Sequence, residues 1–544
     1  MHCTNIVAHN EPRKFEEECN VFKRSAPIGA FSFRVHSWAF LGPVVRRDWR
    51  ARFSLPAKVF SEKFRHPLGE HMLFNSLIFA VFLPCALSIY WLLAKSFRAQ
   101  NLFLLIASYL FYGWWDWRYL FLIAGCSGVN FIAALLIHRT ASPLLRKCAL
   151  AFCCLLCLCV LCIFKYYNFF IESFSALFQL VGIEWHPLLL KIMLPVGISF
   201  FTFQALSYTF DVYFNKLKPT RNAIEFFAFI SFFPQLVAGP IERASNLLPQ
   251  FQKARQFNPD AARHGICLMI YGLFKKMVVA DTLSVYVDQT FNNCTFFNSS
   301  LTCILAAFFF SIQIYCDFSG YSDIARGVAR LFGFELMLNF NRPYLATSFT
   351  DFWRRWHISL STWFKDYVYI PLGGNRVHTG KLLRNLWIVF LLSGLWHGAN
   401  WTFVAWGALH ATFQTLAILR NKFLKAPTCH TFIQKVASIL IVNIGVIFAW
   451  ILFRAQDFSQ LTTFLHTTIR GDYTPSLMAL CAGMGPLHFG FCWCAVGLLA
   501  ISYLFPADCK IEKPSHQLLF AALFILAIIF FGMPSGGEFI YFQF

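Results

Sequence analysis

From Leu73 to Phe531 the chain returns repeatedly to apolar runs near the length that an α-helix needs to cross a bilayer, roughly 20 residues. The runs fall at 73–95, 101–112 (continuing past Trp117), 119–138, 147–165, 188–214, 223–238, 265–287, 301–316, 385–397, 399–419, 434–453, 488–505 and 517–533. In lipid every backbone amide must find its partner within the segment or a closed barrel, and long runs without alternation suit helices, not barrel strands. The pattern predicts an all-α, polytopic integral membrane protein with about 11–13 transmembrane helices plus re-entrant or amphipathic segments. Composition agrees. Hydrophobic residues make up 58% of the chain and charged ones 13%, about half the charged share of a soluble protein. This excludes disordered, collagen-like and coiled-coil chains, and a soluble enzyme with one anchor.

Lysine and arginine exceed acidic residues by 46 to 26, giving a net charge of +20. Nucleic-acid binding is the first reading of such a surplus, but its distribution argues otherwise. The basic residues stand in short groups between apolar runs, at Arg139–Lys147, Lys216–Arg221 and Arg376–Arg384, as loops beside anionic headgroups do. The 19 cysteines lie mostly inside apolar runs, where they act as small hydrophobes. Cys154 and Cys157 form a Cys-x-x-Cys pair, yet no histidine or second pair follows at zinc spacing, so no metal site is expected.

Residues 1–71 differ from the rest. They hold 12 of the 46 basic and 7 of the 26 acidic residues and no run long enough to span. No apolar segment follows the early basic residues as in a signal peptide. This predicts a polar N-terminal extension, either disordered or lying upstream of a true start at Met72, and a membrane domain over 72–544. No internal repeat is visible.

A polar island interrupts the apolar pattern between Asp317 and Arg384, and its charge density predicts that it lies outside lipid. Within Phe349–Tyr369, Trp353, Trp356, Leu360, Trp363 and Tyr367 recur every three or four residues. That spacing predicts one amphipathic or re-entrant helix at the membrane surface, its tryptophans serving as interfacial anchors. His357 lies on it. The next apolar run ends in Trp396-His397-Gly398-Ala399-Asn400 before another begins at Trp401, so His397 sits between two spans. An imidazole at membrane depth faces either a cavity or a hydrogen-bonding carbonyl, and placement favours neither. His410, inside an apolar run, has no polar companion in sequence and reads as a core residue. There is no phosphate-binding Gly-rich loop, no His-Glu-x-x-His and no Gly-x-Ser-x-Gly. Nucleotide hydrolysis, zinc proteolysis and serine hydrolysis are set aside. A neutral imidazole, with an ordinary pKa of about 6.5, can still serve as a general base without metal.

Four stretches together resemble the membrane-bound O-acyltransferases: Phe233-Pro-Gln-Leu-Val-Ala-Gly-Pro-Ile-Glu-Arg243, Gln313-Ile-Tyr-Cys-Asp-Phe-Ser-Gly-Tyr-Ser-Asp323, Phe352-Trp-Arg-Arg-Trp-His-Ile-Ser-Leu-Ser361 and Ser393-Gly-Leu-Trp-His-Gly-Ala-Asn-Trp401. The likeness covers about Met72 to Phe544, including the closing Phe539-Ile-Tyr-Phe-Gln-Phe544, and is nearest to the branch that modifies alginate and teichoic acid. The extension before Met72 departs from the pattern. The resemblance implies a ring of helices around a thin centre, with funnels from both faces meeting near the active histidine. It implies transfer of an acyl group, acetyl in the first instance, from a cytoplasmic thioester (acetyl-CoA or an acyl carrier) towards a hydroxyl of an extracytoplasmic envelope polysaccharide, in the cell membrane and without a tightly bound cofactor. His397 matches the catalytic histidine and His357 the second motif histidine. Asn400, Ser393 or backbone amides near Gly398 are candidates to hold the thioester oxygen, with Arg354, Arg355 and Asp317 as further donor- or substrate-binding candidates. An esterase-like acetyltransferase outside the membrane is the implied partner. The competing reading is a transporter or flippase for a lipid-linked glycan, with the two histidines as a proton relay.

Overall fold

The computed structural model describes residues 72–185, 187–237, 239–424, 431–505, 513–533 and 539–542. The extension at 1–71 lies outside the described residues. The described chain is helical, with no strand beyond one isolated bridge between Ser299 and Asp472. In order come α1 (Leu77–Leu92), α2 (Phe97–Gly113), α3 (Tyr119–Arg139), α4 (Pro143–Leu180), α5 (Ile198–Tyr213), α6 (Ala223–Ser231), α7 (Ala244–Phe251), α8 (Pro259–Leu273) and α9 (Asp281–Phe297). They are followed by α10 (Ser300–Leu331), α11 (Phe349–Arg355), α12 (Ile358–Phe364), α13 (Thr379–His397), α14 (Trp401–Leu424), α15 (Phe432–Arg454), α16 (Phe458–Arg470), α17 (Pro486–Ser502) and α18 (Pro514–Phe531). The protein is a multi-pass, all-α membrane protein.

Among the described residues, six helices are long and apolar enough to cross a bilayer: α3, α4, α10, α14, α15 and α18, with α1 and α17 shorter but apolar. This is fewer than the apolar runs suggested. The run at 188–214 becomes helical only at Ile198, because Pro187 and Pro195 interrupt the amide ladder. Gly197 then turns the chain in a left-handed conformation, at φ 75°, where a Cβ would meet the Leu236 carbonyl oxygen at 2.6 Å. The run at 265–287 is divided by a π-helical turn at Phe274–Ala280. Segments enclosed by other helices can be short or bent, since neighbouring protein satisfies the backbone that lipid cannot.

The centre of the fold is α10. Of its most apolar window, 72% is buried inside the protein, against 17–39% for the other five. It also carries the start of the polar island. The helix does not stop at Cys316 but carries Asp317, Asp323, Arg326 and Arg330 onward, all buried. These charges avoid lipid by facing other helices. Lys276, on the π turn, pairs with Asp317 at 2.7 Å and Asp281 at 2.8 Å, and its neighbour Lys275 pairs with Asp323.

Helices α8 and α10 are in near backbone contact. A Cβ on Gly272 would lie 2.6 Å from the Gly320 carbonyl oxygen, and one on Gly265 2.8 Å from that of Gly327. The pairs run in opposite senses, so the helices are antiparallel, and the seven-residue spacing on each keeps both glycines on one face. Small residues at such a crossing let membrane helices approach closely.

Gly272→Val is expected to lower stability by about 1–3 kcal/mol, because the overpacked methyls meet backbone that cannot yield. Gly125→Ala, where a Cβ has nothing within 4 Å, is expected to cause no loss. Thermal unfolding of the two detergent-solubilised variants checks the contrast.

Candidate active site

His397 is the last residue of α13 and is 2% exposed. The turn into α14 is set by glycine on both sides of it. A Cβ on Gly394 would come within 2.3 Å of the Phe403 carbonyl oxygen, and one on Gly398 within 2.1 Å of the Phe403 ring. Only with both glycines can the two helices close on one another and hold the imidazole at their junction. The ring lies edge-on to Trp396 and Trp406, with centroids at 5.0 Å, and close to Phe453 and Tyr541 at 5.4 and 5.7 Å. Neither ring nitrogen has a hydrogen-bond partner among the described residues. Buried polar atoms are rarely left so, and both nitrogens are available to a ligand or water.

The single amphipathic helix expected over Phe349–Tyr369 is instead two short helices, α11 and α12, followed by a π turn at Lys365–Tyr369. The break is at His357, whose backbone is left-handed at φ 43°. A β-carbon makes this conformation uncommon, and such outliers gather at functional sites. Asn339 holds the break: its carbonyl accepts the Ile358 amide at 2.9 Å, and its Oδ1 accepts the Ser359 hydroxyl at 2.9 Å. The tryptophan stripe also turns inward. Trp356 and Trp363 are buried among aromatic rings, Trp356 against Trp450 at 4.8 Å and Trp363 stacked on Phe203 at 3.9 Å. Aromatic burial against protein therefore replaces the expected interfacial anchoring.

The strained turn brings His357, fully buried, to a ring-centroid distance of 6.3 Å from His397. Its Nδ1 is 3.2 Å from Asn339 Oδ1, which fixes the ring plane, while its Nε2 has no partner among the described residues. The amide oxygen can only accept, so Nδ1 carries the proton and Nε2 is the free lone pair.

One cavity is lined by His397, and a second lies further along α13. A cavity of about 40 Å³ is lined by Lys165, Gly197, Ser199, Phe200, His397 and Tyr541, among others, enough for one or two waters. A second cavity, about 900 Å³, is walled by α11, α12 and α13 and carries Arg354, Lys365 and Arg376 with no acidic side chain in its lining. Ser393 lines it too. Ser393 is one helical turn before His397, so this wall ends about 6 Å along the helix axis from the imidazole.

The other candidates from sequence lie apart from the histidines' open edges. Asn400 donates to the Gln456 carbonyl at 2.5 Å and accepts from the Thr402 amide at 3.0 Å, tying the α13–α14 turn to the end of α15. Arg355 pairs with Asp351 at 2.9 Å. Asp317, besides pairing with Lys276, accepts the Ile540 amide at 2.7 Å. It thereby anchors the segment that sets Tyr541 beside both histidines, at 5.7 and 6.5 Å. His410 packs against Trp353 and Trp406, at 5.0 and 4.8 Å, in the aromatic layer behind His397. Asn339, Tyr541 and Lys165 are the neighbours that sequence reasoning passed over. Of these only Lys165, a charge closing an apolar run, carried a visible signal.

Two buried imidazoles thus lie 6.3 Å apart inside a helical membrane domain, with a small cavity beside His397. Residues 148–457 match the family described as MBOAT, membrane-bound O-acyltransferase. The chain is 42% identical over 397 residues to the probable alginate O-acetylase AlgI of Pseudomonas aeruginosa, a match covering 71% of this chain and 72% of that one. It is 36% identical over 416 residues to the peptidoglycan O-acetyltransferase of Helicobacter pylori (71% and 77%) and 29% identical over 231 residues to the teichoic acid D-alanyltransferase of Bacillus subtilis (40% and 58%). The chain belongs to the membrane-bound O-acyltransferase family, and the protein is an acyltransferase.

Removing the cation between two buried carboxylates leaves like charges facing each other in a dry interior. Lys276→Met is therefore expected to destabilise the protein by about 3–5 kcal/mol. Thermal unfolding in detergent measures this, and Asp281→Asn, which keeps the Lys276–Asp317 pair, is expected to lose less.

Proposed function

We propose that the protein transfers an acetyl group from a cytoplasmic thioester, acetyl-CoA or an acyl carrier, to a hydroxyl of an envelope polysaccharide outside the membrane. The observation that carries this reading is the pairing of His397 and His357 at 6.3 Å, with His357 Nε2 and both His397 nitrogens unengaged among the described residues and a cavity that His397 lines. The larger cavity suits the donor, because Arg354, Lys365 and Arg376 match the phosphates that both donor types carry. The named activities of the alginate and peptidoglycan relatives supply the acyl group and the class of acceptor. The acceptor sugar reaches the histidines from the opposite face, where an esterase-like acetyltransferase partner can receive or complete the transfer.

In this mechanism His397 accepts the proton of the attacking hydroxyl as its oxygen bonds to the thioester carbonyl carbon. The tetrahedral oxyanion then collapses, the C–S bond breaks, and the imidazolium returns its proton to the leaving thiolate. A thioester is already activated, so positioning and proton transfer are what the site must supply. His357, fixed through Nδ1 by Asn339, presents Nε2 beside His397 and orients the reactants.

His397→Ala is expected to lower acetylation by about 10²–10⁴-fold while the protein remains folded and inserted, as loss of a general base does. Base-labile acetate on purified envelope glycans, normalised to protein level, is the readout, and more than a tenth of wild-type acetylation would reject the role. His357→Ala is expected to retain measurable turnover at saturating donor.

The donor cavity should open to the cytoplasm, since Arg354, Lys365, Arg376, Lys381 and Arg384 cluster around it and basic loops favour that side. Single cysteines at Ser361 and Thr379, in a background without native cysteines, are expected to resist a membrane-impermeant thiol reagent in intact cells and to react after lysis. Labelling of both from outside would reverse the assignment.

A further inference from the structure

We infer that Lys165 is the cationic group that faces the acyl carbonyl oxygen, a catalytic residue of the transfer reaction; this rests on the acyl-transfer role proposed for His397. Lys165 lies within α4, at the end of the apolar stretch 148–164. A charge beside such a stretch in a membrane helix is costly, and such residues face function or a partner. Its position is a π-helical turn, Cys162–Tyr166. Such bulges inside helices recur at functional sites because they re-aim a side chain.

The side chain is aimed at the end of α13. Lys165 Nζ donates to the carbonyls of Trp396 at 2.7 Å and His397 at 3.0 Å, while the adjacent Tyr166 hydroxyl donates to that of Leu395 at 3.0 Å. Helix capping alone does not explain a lysine here. A neutral donor would satisfy the same carbonyls. An ammonium has three N–H groups. Two are taken, and no third acceptor exists among the described residues, while Lys165 and His397 line the same 40 Å³ cavity.

The opposite wall of that cavity is the first turn of α5, at Ile198, Ser199 and Phe200. A helix N-terminus carries a partial positive charge. Two independent positive elements thus converge on a space bounded by the proposed base. Asn400, by contrast, has both polar groups engaged with backbone. As the hydroxyl oxygen bonds to the carbonyl carbon and its proton passes to His397, negative charge grows on the carbonyl oxygen. Lys165 holds that oxygen until the C–S bond breaks and the thiolate leaves with the proton.

The test uses the full chain in membranes of its own host, with acetyl-CoA as donor, following thiol release and glycan-bound acetate. Lys165→Met is expected to lower kcat by about 10²–10³-fold, as loss of an oxyanion donor does, with the donor KM changed less than threefold and thermal unfolding retained. Lys165→Arg is expected to recover at least a tenth of wild-type kcat. If the Met variant fails to accumulate, Lys165→Gln, which can still donate to the helix end, is judged by the same kcat criterion. More than a third of wild-type kcat in the Met or Gln variant, or a loss confined to KM, overturns the inference. His397→Ala is run in parallel. Full activity in that variant means the acyl-transfer reading has failed, whereas an inactive His397→Ala beside an active Lys165→Met removes only the role of Lys165.

Discussion

The pairing of Lys276 with Asp317 and Asp281 is the interaction on which the arrangement depends. The central helix α10 carries carboxylates and guanidinium groups through the part of the protein that lipid surrounds, which is tolerable only if their partners are already in place. The π turn between α8 and α9 supplies Lys275 and Lys276 side by side, and it can do so only because glycines bring α8 within backbone contact of α10. Such a buried network is a weak source of net stability. Its contribution here is register. An α8 displaced by one turn along α10 would separate Lys276 from Asp317 and Lys275 from Asp323 in an apolar interior.

The same carboxylate reaches the site. Asp317 uses one oxygen for Lys276 and the other for the Ile540 amide, and so fixes the C-terminal segment against α10. Tyr541 then packs on Phe318, which packs edge-on to His357. The sequence placed Asp317 among the substrate-binding candidates; in the structure both its oxygens are engaged by Lys276 and the Ile540 amide. It supports the wall of the site and does not line either cavity.

Charge is unevenly distributed around the site. Basic side chains line the larger cavity, with no acidic side chain among its lining residues. Acidic side chains are drawn into pairs elsewhere: Asp323 to Lys275, Asp351 to Arg355 and Glu335 to Arg330. His397 itself is enclosed by rings, with Trp396, Trp406 and Phe453 around it. Excluding water there strengthens each remaining electrostatic contact.

Sequence alone determined that this chain is an all-helical membrane protein, because backbone in lipid leaves few options and run length reports on it directly. It also determined the family, and the motif Trp396-His397-Gly398 needs glycine where Phe403 crosses the helix end. Tertiary structure decided what periodicity could not. The stripe from Trp353 to Tyr367 satisfies a helical period, yet Asn339, distant in sequence, caps Ile358 and Ser359 and breaks the helix at His357. The charges that open the polar island are buried in protein, and the lysines of a separate helix, 41 residues before Asp317 for Lys276, pair with them there. Lys165 was one cation at the end of an apolar run until folding set its ammonium against the carbonyl of His397. Each of these depends on a partner far along the chain, and hydrophobic periodicity holds information only about a residue's own helix.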